Sequence, residues 1–233
     1  MYRIWQKLCA EFIGTFLFVF LAAGAVCADA ALRSATQPAI GLLGMALARG
    51  IAFAVLVSAL SQVSGGHFNP AITLGCWVTR KIGSFPAIFY GVAQILGAML
   101  AAWTLARLIP EQIWAPVALG TPDLGASISR TQGIFIELLL TFIFVFVFFA
   151  TVADVPVDSP HLARFGGFAA GLAIFAGILA GAPFTGASMN PAMALGTAVA
   201  AHHFANHGVY WAGPLLGGVI GAWLYHALFV RTS

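Results

Sequence analysis

Long apolar stretches separated by short polar segments dominate the hydrophobic pattern along the chain. The stretches lie at about 8–28, 39–61, 86–108, 132–153, 163–182 and 208–230. Each is close to the roughly 20 apolar residues that an α-helix needs to cross a bilayer. The pattern therefore predicts an all-α membrane protein with six transmembrane helices.

Two further segments follow the second and the fifth span and share one pattern. Residues 64–75 and 185–196 both read small-Gly-small-x-x-Asn-Pro-Ala-x-x-Leu-Gly. Asn favours the N-cap of a helix, and Pro favours its first position. Each copy therefore predicts a loop and a re-entrant half-helix of about ten residues, too short to span, starting at Asn69 or Asn190.

The order span, span, half-helix, span occurs twice in one transmembrane domain, 1–233. The repeats are approximately 1–120 and 121–233, and matching residues are Glu11, Thr15 and Phe16 in one, Glu137, Thr141 and Phe142 in the other. Three spans per repeat place the second repeat upside down, with the functional site at the repeat interface near the midplane. The half-helices then enter from opposite faces, and their N-termini meet.

The meeting point predicts a site for a neutral polar molecule. Each half-helix begins Asn-Pro-Ala, as Asn69, Pro70 and Ala71 and as Asn190, Pro191 and Ala192. The Asn side chains offer hydrogen bonds, while the positive helix ends repel cations and protons. The alternative is that Asn-Pro caps two ordinary helices, and the duplication of a twelve-residue pattern disfavours it.

Glu11 and Glu137 lie inside spans, where an ionisable side chain is costly and usually functional. A proton relay is one interpretation. Their equivalent places in the two repeats favour another, in which each carboxylate accepts hydrogen bonds from the loop N–H groups before its half-helix.

Composition excludes several classes of function. The chain is 61% hydrophobic and 7% charged, whereas soluble domains carry about 25% charged residues. No basic run suits a nucleic-acid backbone, and three cysteines lack the spacing of a metal site or disulfide framework.

His202, His203 and His207 lie close together in the sequence. We favour a cytoplasmic or interfacial loop for them over metal binding or pH sensing. We expect no metal, cofactor or nucleic-acid partner.

Basic residues predict the orientation, because cytoplasmic loops carry an excess of Lys and Arg. Six of the ten fall on one side: Arg3, Lys7, Arg80, Lys81, Arg164 and Arg231. We therefore expect a multi-pass integral membrane protein of the plasma (inner) membrane, with both termini in the cytoplasm and the loop 109–131 outside.

The sequence resembles the aquaporins (major intrinsic proteins) over its whole length. The resemblance rests on the paired Asn-Pro-Ala motifs, on the residues 64–67 and 185–188 before them, and on the six spans. The second half is most similar to the plant tonoplast intrinsic proteins. The resemblance implies a passive single-file pore in each subunit of a homotetramer, permeated by water and by small neutral solutes such as ammonia, urea or hydrogen peroxide.

The resemblance also implies roles for individual residues. Asn69 and Asn190 would donate side-chain N–H groups to the permeant. Acceptor carbonyls would line the pore at Gly65, Gly66, His67, Ala187 and Ser188. The selectivity filter would comprise Arg49, Ile178, Ala187 and Met193.

One filter position departs from the family pattern. Most aquaporins carry Arg directly after the second motif, where this chain has Met193. We expect Arg49, deep in the second span, to supply the missing charge. The alternatives are an ion pair with Glu11 or Glu137, or an extended side chain that reaches the interface.

The sequence is also compatible with other functions. Ala194, where glycerol channels of the family place Asp, and the aromatic pair Tyr210-Trp211 favour water over glycerol. The alternatives are a glycerol, small-solute or metalloid facilitator of the same fold, and a coupled secondary transporter. An enzyme is disfavoured, because no nucleophile with a base stands out.

Overall fold

The computed structural model describes residues 2–154 and 160–230, and for residues 160–164 it describes the backbone alone. Its long helices are α1 (Ile4–Ser34), α2 (Gly41–Ser64), α4 (Ser84–Leu108), α6 (Arg130–Phe148, continued by a π-helical turn over Phe149–Ala153), α7 (Pro160–Thr185) and α9 (Val209–Phe229). All six are long and apolar enough to cross a membrane. The predicted all-α fold with six spans is confirmed.

The helices extend beyond several of the predicted apolar stretches. Helix α1 has 31 residues, about 46 Å at the usual rise per residue. This length matches the roughly 40–45 Å of a bilayer with its headgroup regions. Polar residues continue the helix through the headgroups, and an apolar pattern cannot mark where it ends.

The two half-helices are α3 (Pro70–Val78) and α8 (Pro191–Ala201). The Asn69 side chain caps α3 by accepting from the N–H of Ala71 at 2.8 Å. The Asn190 side chain caps α8 in the same way, from Ala192 at 3.0 Å. Between the repeats lie a short helix α5 (Glu111–Trp114) and a 3-10 segment (Ala115–Gly120).

Helix α2 of the first repeat and helix α7 of the second cross in close contact. A Cβ on Gly50 would lie 2.7 Å from the carbonyl oxygen of Gly171, and one on Gly171 would lie 2.3 Å from that of Gly50. Only glycine permits such an approach of two backbones. Gly50 and Gly171 are 121 residues apart, as are Asn69 and Asn190, so both pairs join equivalent positions of the two repeats.

The connecting segments divide between two faces of the bundle. Lys7 and Lys81 line one cavity, and Lys81 pairs with Asp154, so the N-terminal end of α1 shares a face with the segments after α3 and α6. Asp123 bonds His203 on the opposite face. The side chain of Arg164 and the whole of Arg231, both used for the orientation, lie outside the described residues.

Candidate functional site

The capping asparagines of the two half-helices contact the opposite loops. Asn69 Nδ2 donates to the carbonyl oxygen of Met189 at 2.7 Å, and Asn190 Nδ2 donates to that of Phe68 at 2.9 Å. Each amide nitrogen carries two hydrogens. Within the described residues neither nitrogen has a second partner, so each asparagine keeps one N–H for a molecule between the half-helices.

The backbone bends sharply before each asparagine. Phe68 has a φ of 48° and Met189 a φ of 52°, both in the left-handed region that residues with a Cβ rarely adopt. The surrounding structure must hold such a conformation in place. In both loops, a buried carboxylate does so.

Glu11 holds the first loop. One oxygen accepts from the backbone N–H of His67 at 3.0 Å and from the Ser64 hydroxyl at 2.6 Å. The other accepts from the N–H of Phe68 and from Gln94 Nε2, both at 2.7 Å. These are the contacts that the structural interpretation of Glu11 expects.

Glu137 holds the second loop with the equivalent contacts. One oxygen accepts from the N–H of Ser188 at 2.9 Å and from the Thr185 hydroxyl at 2.7 Å. The other accepts from the N–H of Met189 at 2.8 Å. Neither Glu11 nor Glu137 is among the described residues that line the central cavity, so the geometry does not favour a proton relay.

A central cavity lies between the half-helices, with a volume of about 10 Å³. Roughly 10–15 Å³ of such space is the least that holds one water molecule. Its lining is Phe18, Arg49, Phe53, Asn69, Phe144, Ile174, Ser188, Met189 and Asn190. Two free amide N–H groups and one guanidinium therefore face a space the size of a single water, enclosed by aromatic and aliphatic side chains.

Arg49 contributes the charge in this cavity. Its side chain is 7% exposed, and Nη1 donates to the carbonyl oxygen of Ala187 at 3.1 Å. No ion pair within 4 Å involves Arg49 in the described part of the chain, so the proposed pairings with Glu11 and Glu137 are absent there. The side chain also does not extend to the interface, since it is buried against the second loop.

The predicted acceptor carbonyls fall into two groups. Ala187 already accepts from Arg49. Within the described residues, no hydrogen bond reaches the carbonyls of Gly65, Gly66, His67 or Ser188, so these four oxygens are available to a permeant.

The remaining predicted filter residues lie beside the cavity rather than on its wall. Ile178 and Met193 are 3% and 1% exposed, and neither is among the residues that line the central cavity. The wall instead includes Ile174, one helical turn before Ile178. Sequence reasoning missed Phe18, Phe53 and Phe144, because apolar residues of a span give no signal that separates a pore wall from a core.

A wider vestibule of about 220 Å³ opens toward the face that holds the start of α1. His67 lines it, together with Gly65, Lys7 and Lys81. His67 Nδ1 is hydrogen-bonded to the Thr73 hydroxyl at 3.0 Å, which holds the ring in the loop. Among the described residues, no group of three or more His, Cys, Asp or Glu could hold a metal ion.

The opposite face carries a polar network around Asp123. Asp123 accepts from Asn206 Nδ2 and contacts His203 Nε2, both at 2.9 Å. Burial raises the pKa of Asp123, but these hydrogen bonds outweigh it and hold the pKa below its usual value. Burial also lowers the pKa of His207. The histidines share a face with Asp123, opposite the start of α1, so the cytoplasmic alternative does not fit the predicted orientation.

Comparisons with known proteins agree with this geometry. Residues 1–225 match the family described as Major intrinsic protein. The chain is 42% identical to aquaporin TIP4-4 of Zea mays over 97% of this chain and 87% of that one. It is 43% identical to the lens fiber major intrinsic protein of Gallus gallus over 95% and 80%.

A solved structure agrees at the level of the fold. The aquaglyceroporin of Plasmodium falciparum superposes with a TM-score of 0.82 at 24% identity, covering 97% of both chains. Together with the family match over nearly the whole length, this confirms the resemblance seen in the sequence. The chain belongs to the major intrinsic protein family.

Proposed function

We propose that this protein is a passive channel whose main permeant is water, passing in single file between the two half-helices. The observation that carries the proposal is the pair of free N–H groups on Asn69 and Asn190, facing a cavity of about 10 Å³. A water molecule there accepts from both asparagines. Family membership supports passive transport of water and small solutes and gives no support to an enzyme.

The same geometry opposes the passage of cations. Both half-helix N-termini point their positive ends at the cavity, and Arg49 adds a full charge on its wall. A cation would lose its hydration shell in a space that offers donors and a like charge. A neutral solute meets no such penalty, so the site excludes ions because of their charge.

We assign the selectivity filter to Arg49 and the Ala187 carbonyl, in place of the family's loop arginine. The hydrogen bond of 3.1 Å between them fixes the guanidinium beside the second loop. Met193, at the usual arginine position, is buried in the core. Solutes wider than water, such as urea or glycerol, would have to pass this contact. Ammonia and hydrogen peroxide are small enough to follow water.

The assembly and the membrane are further parts of the proposal. We infer a homotetramer with one pore in each subunit, as the family resemblance implies. Relatives with TIP-type names, such as aquaporin TIP2-1 of Arabidopsis thaliana, favour an internal, tonoplast-type membrane over the plasma (inner) membrane expected from the sequence. Cross-linking and subcellular fractionation test these two points.

Stopped-flow light scattering of liposomes that contain the purified protein tests the main proposal. Water permeability should exceed that of empty liposomes without any ion gradient, and it should not saturate. Asn190→Asp places a negative charge at the helix ends, so water flow should fall or cation leak should rise. Gln37→Glu makes the same chemical change on an exposed residue and should alter neither. Transport that requires an ion gradient would instead identify a coupled transporter.

A further inference from the structure

An apolar groove runs along the outer surface of the first half-helix, between α3 and α4. Its volume is about 350 Å³, and its walls include Pro70, Leu74, Ile88, Gly91 and Leu215. Ile88 is 66% exposed, so the groove opens away from the bundle. A Cβ on Gly91 would meet no atom within 4 Å, which shows that the chain leaves this space open.

The groove ends at a polar mouth. Trp77 and Ser84 close its end, with Trp77 Nε1 donating to Ser84 Oγ at 2.9 Å. The same two residues line an adjoining cavity of about 550 Å³ that Arg80 also lines. Arg80 is exposed, and within the described residues no hydrogen bond or ion pair engages its side chain. Its neighbour Lys81 is already paired with Asp154.

The groove extends over about two thirds of the hydrocarbon depth of one leaflet. Pro70 starts the half-helix beside the midplane cavity, and Trp77 lies seven residues later, about 10 Å along the axis. Half of the hydrocarbon core of a bilayer is about 15 Å. The apolar part thus runs from near the midplane toward the interface, and Arg80 follows it on the side of the interface.

We propose that this groove binds a glycerophospholipid with an anionic headgroup. One acyl chain lies along Leu74, Ile88 and Gly91, and the phosphate and headgroup contact Arg80. The leaflet on the face of Lys7 and Lys81 is the predicted cytoplasmic one, which carries the anionic lipids. A second copy of this chain fits less well, because the described acid on this face, Asp154, is already paired with Lys81.

Native mass spectrometry of the purified protein with phosphatidylglycerol or phosphatidylcholine tests the site. Phosphatidylglycerol should bind more tightly, and Arg80→Gln should weaken it by about fivefold, as expected for one basic residue at the surface. Gly91→Leu fills the groove and should weaken both lipids. If Gly91→Leu folds poorly, Ala87→Leu fills the same groove from another position in its wall.

Two control variants separate this site from general lipid contact. Arg107→Gln removes an arginine that lies 5.5 Å from the Trp103 ring near the other end of α4. Val92→Leu enlarges an exposed residue outside the groove. Both should leave lipid binding unchanged. Equal binding of the two lipids, or equal effects of the Arg80 and Arg107 variants, would overturn the headgroup assignment. If the Gly91→Leu protein keeps its lipid but changes its oligomeric state, the groove is a subunit interface and not a lipid site.

Discussion

The loops before the two half-helices form the same hydrogen bonds although their residues differ. Ser64 in one loop and Thr185 in the other bond the buried glutamate of their own repeat. Their carbonyls accept from Tyr90 at 2.8 Å and from Tyr210 at 2.9 Å. Ser64 and Thr185 share the hydroxyl that this contact needs, whereas His67 and Ser188, at equivalent positions, bond to Thr73 and to the Asn190 carbonyl respectively. The hydrogen bonds that both loops share therefore hold the backbone, and the side chains that differ give each half of the pore its own chemistry.

The first repeat adds a polar chain behind its loop. Thr73 Oγ1 accepts from Gln94 Nε2 at 2.9 Å and donates to the Asn69 carbonyl at 3.1 Å. Because a hydroxyl has one hydrogen, a Thr73 that donates to the Asn69 carbonyl accepts from His67 Nδ1, and Nε2 of a neutral His67 ring is then an acceptor. The vestibule on that face thus gains a neutral acceptor.

The described part of the second repeat shows no such polar chain. Ala194 and Pro214 stand at the places of Thr73 and Gln94. The charge on this side of the pore comes from Arg49, which belongs to the first repeat by sequence. Ala170, which corresponds to Arg49 by the relation between Gly50 and Gly171, is fully buried and apolar. The arginine therefore breaks the symmetry of the pore, and in our proposal it makes one end of the pore selective against cations.

The largest effect is expected from removing a contact that the repeats share. Glu137→Ala leaves three buried donors without their acceptor, and each costs about 1–3 kcal/mol. The summed loss approaches the whole stability of an ordinary domain, about 5–15 kcal/mol. We expect little folded protein by size-exclusion chromatography, and the same for Glu11→Ala. Glu111→Ala, on an exposed acid, should fold normally. A folded Glu137→Ala channel that only loses proton conduction would favour a relay.

Removing Arg49 should change function more than folding. Arg49→Ala opens the contact with Ala187, so liposome shrinkage assays should show several-fold faster entry of urea or glycerol and some cation leak, with water flow retained. Desolvating a charge at this depth costs on the order of 3 kcal/mol, so its loss need not destabilise the protein. Adding Met193→Arg in that background should restore exclusion. Unchanged selectivity with a lower melting temperature would make Arg49 a structural residue.

The buried glutamates and Arg49 also show which features can be predicted from the sequence and which cannot. The spans, the half-helices and the equivalence of Glu11 and Glu137 follow from hydrophobic pattern and repetition, because every copy of a repeat must satisfy the same buried backbone. The contact of Arg49 with a particular carbonyl does not follow, since it depends on how α2 lies against a loop 138 residues away. The phenylalanines of the pore wall are missed for a related reason, because their orientation is set by packing.

The polar chain of the first repeat should have an intermediate effect. Gln94→Leu removes donors to Glu11 and Thr73, and a hydrogen bond to a charged group contributes about 1.5–3 kcal/mol. We expect a clearly lower melting temperature for the purified protein. Pro214→Ala, at the equivalent place in the second repeat, removes no side-chain hydrogen bond and replaces a proline inside α9 by a better helix former, so it should not lower the melting temperature. Equal shifts would show that the two sides of the pore do not differ in this way.

The smallest effect is expected at the polar network around Asp123, which is not one of the contacts that the two repeats share. Asn206 and His203 hold the pKa of Asp123 below its usual value, so the folded state favours the carboxylate. The resulting stability is present above the unfolded pKa, about 3.9, and is lost as pH falls through the lower folded value. Because Asp123 is 36% exposed, this contribution should be at most about 1 kcal/mol, or about 2–4 °C in melting temperature. Asp123→Asn should therefore melt slightly lower than the parent at pH 7, and the two should converge once the pH has fallen below the folded pKa of Asp123, as measured by thermal unfolding in detergent. A difference that persists at the acidic end of the titration would assign the effect to lost packing rather than to the charge.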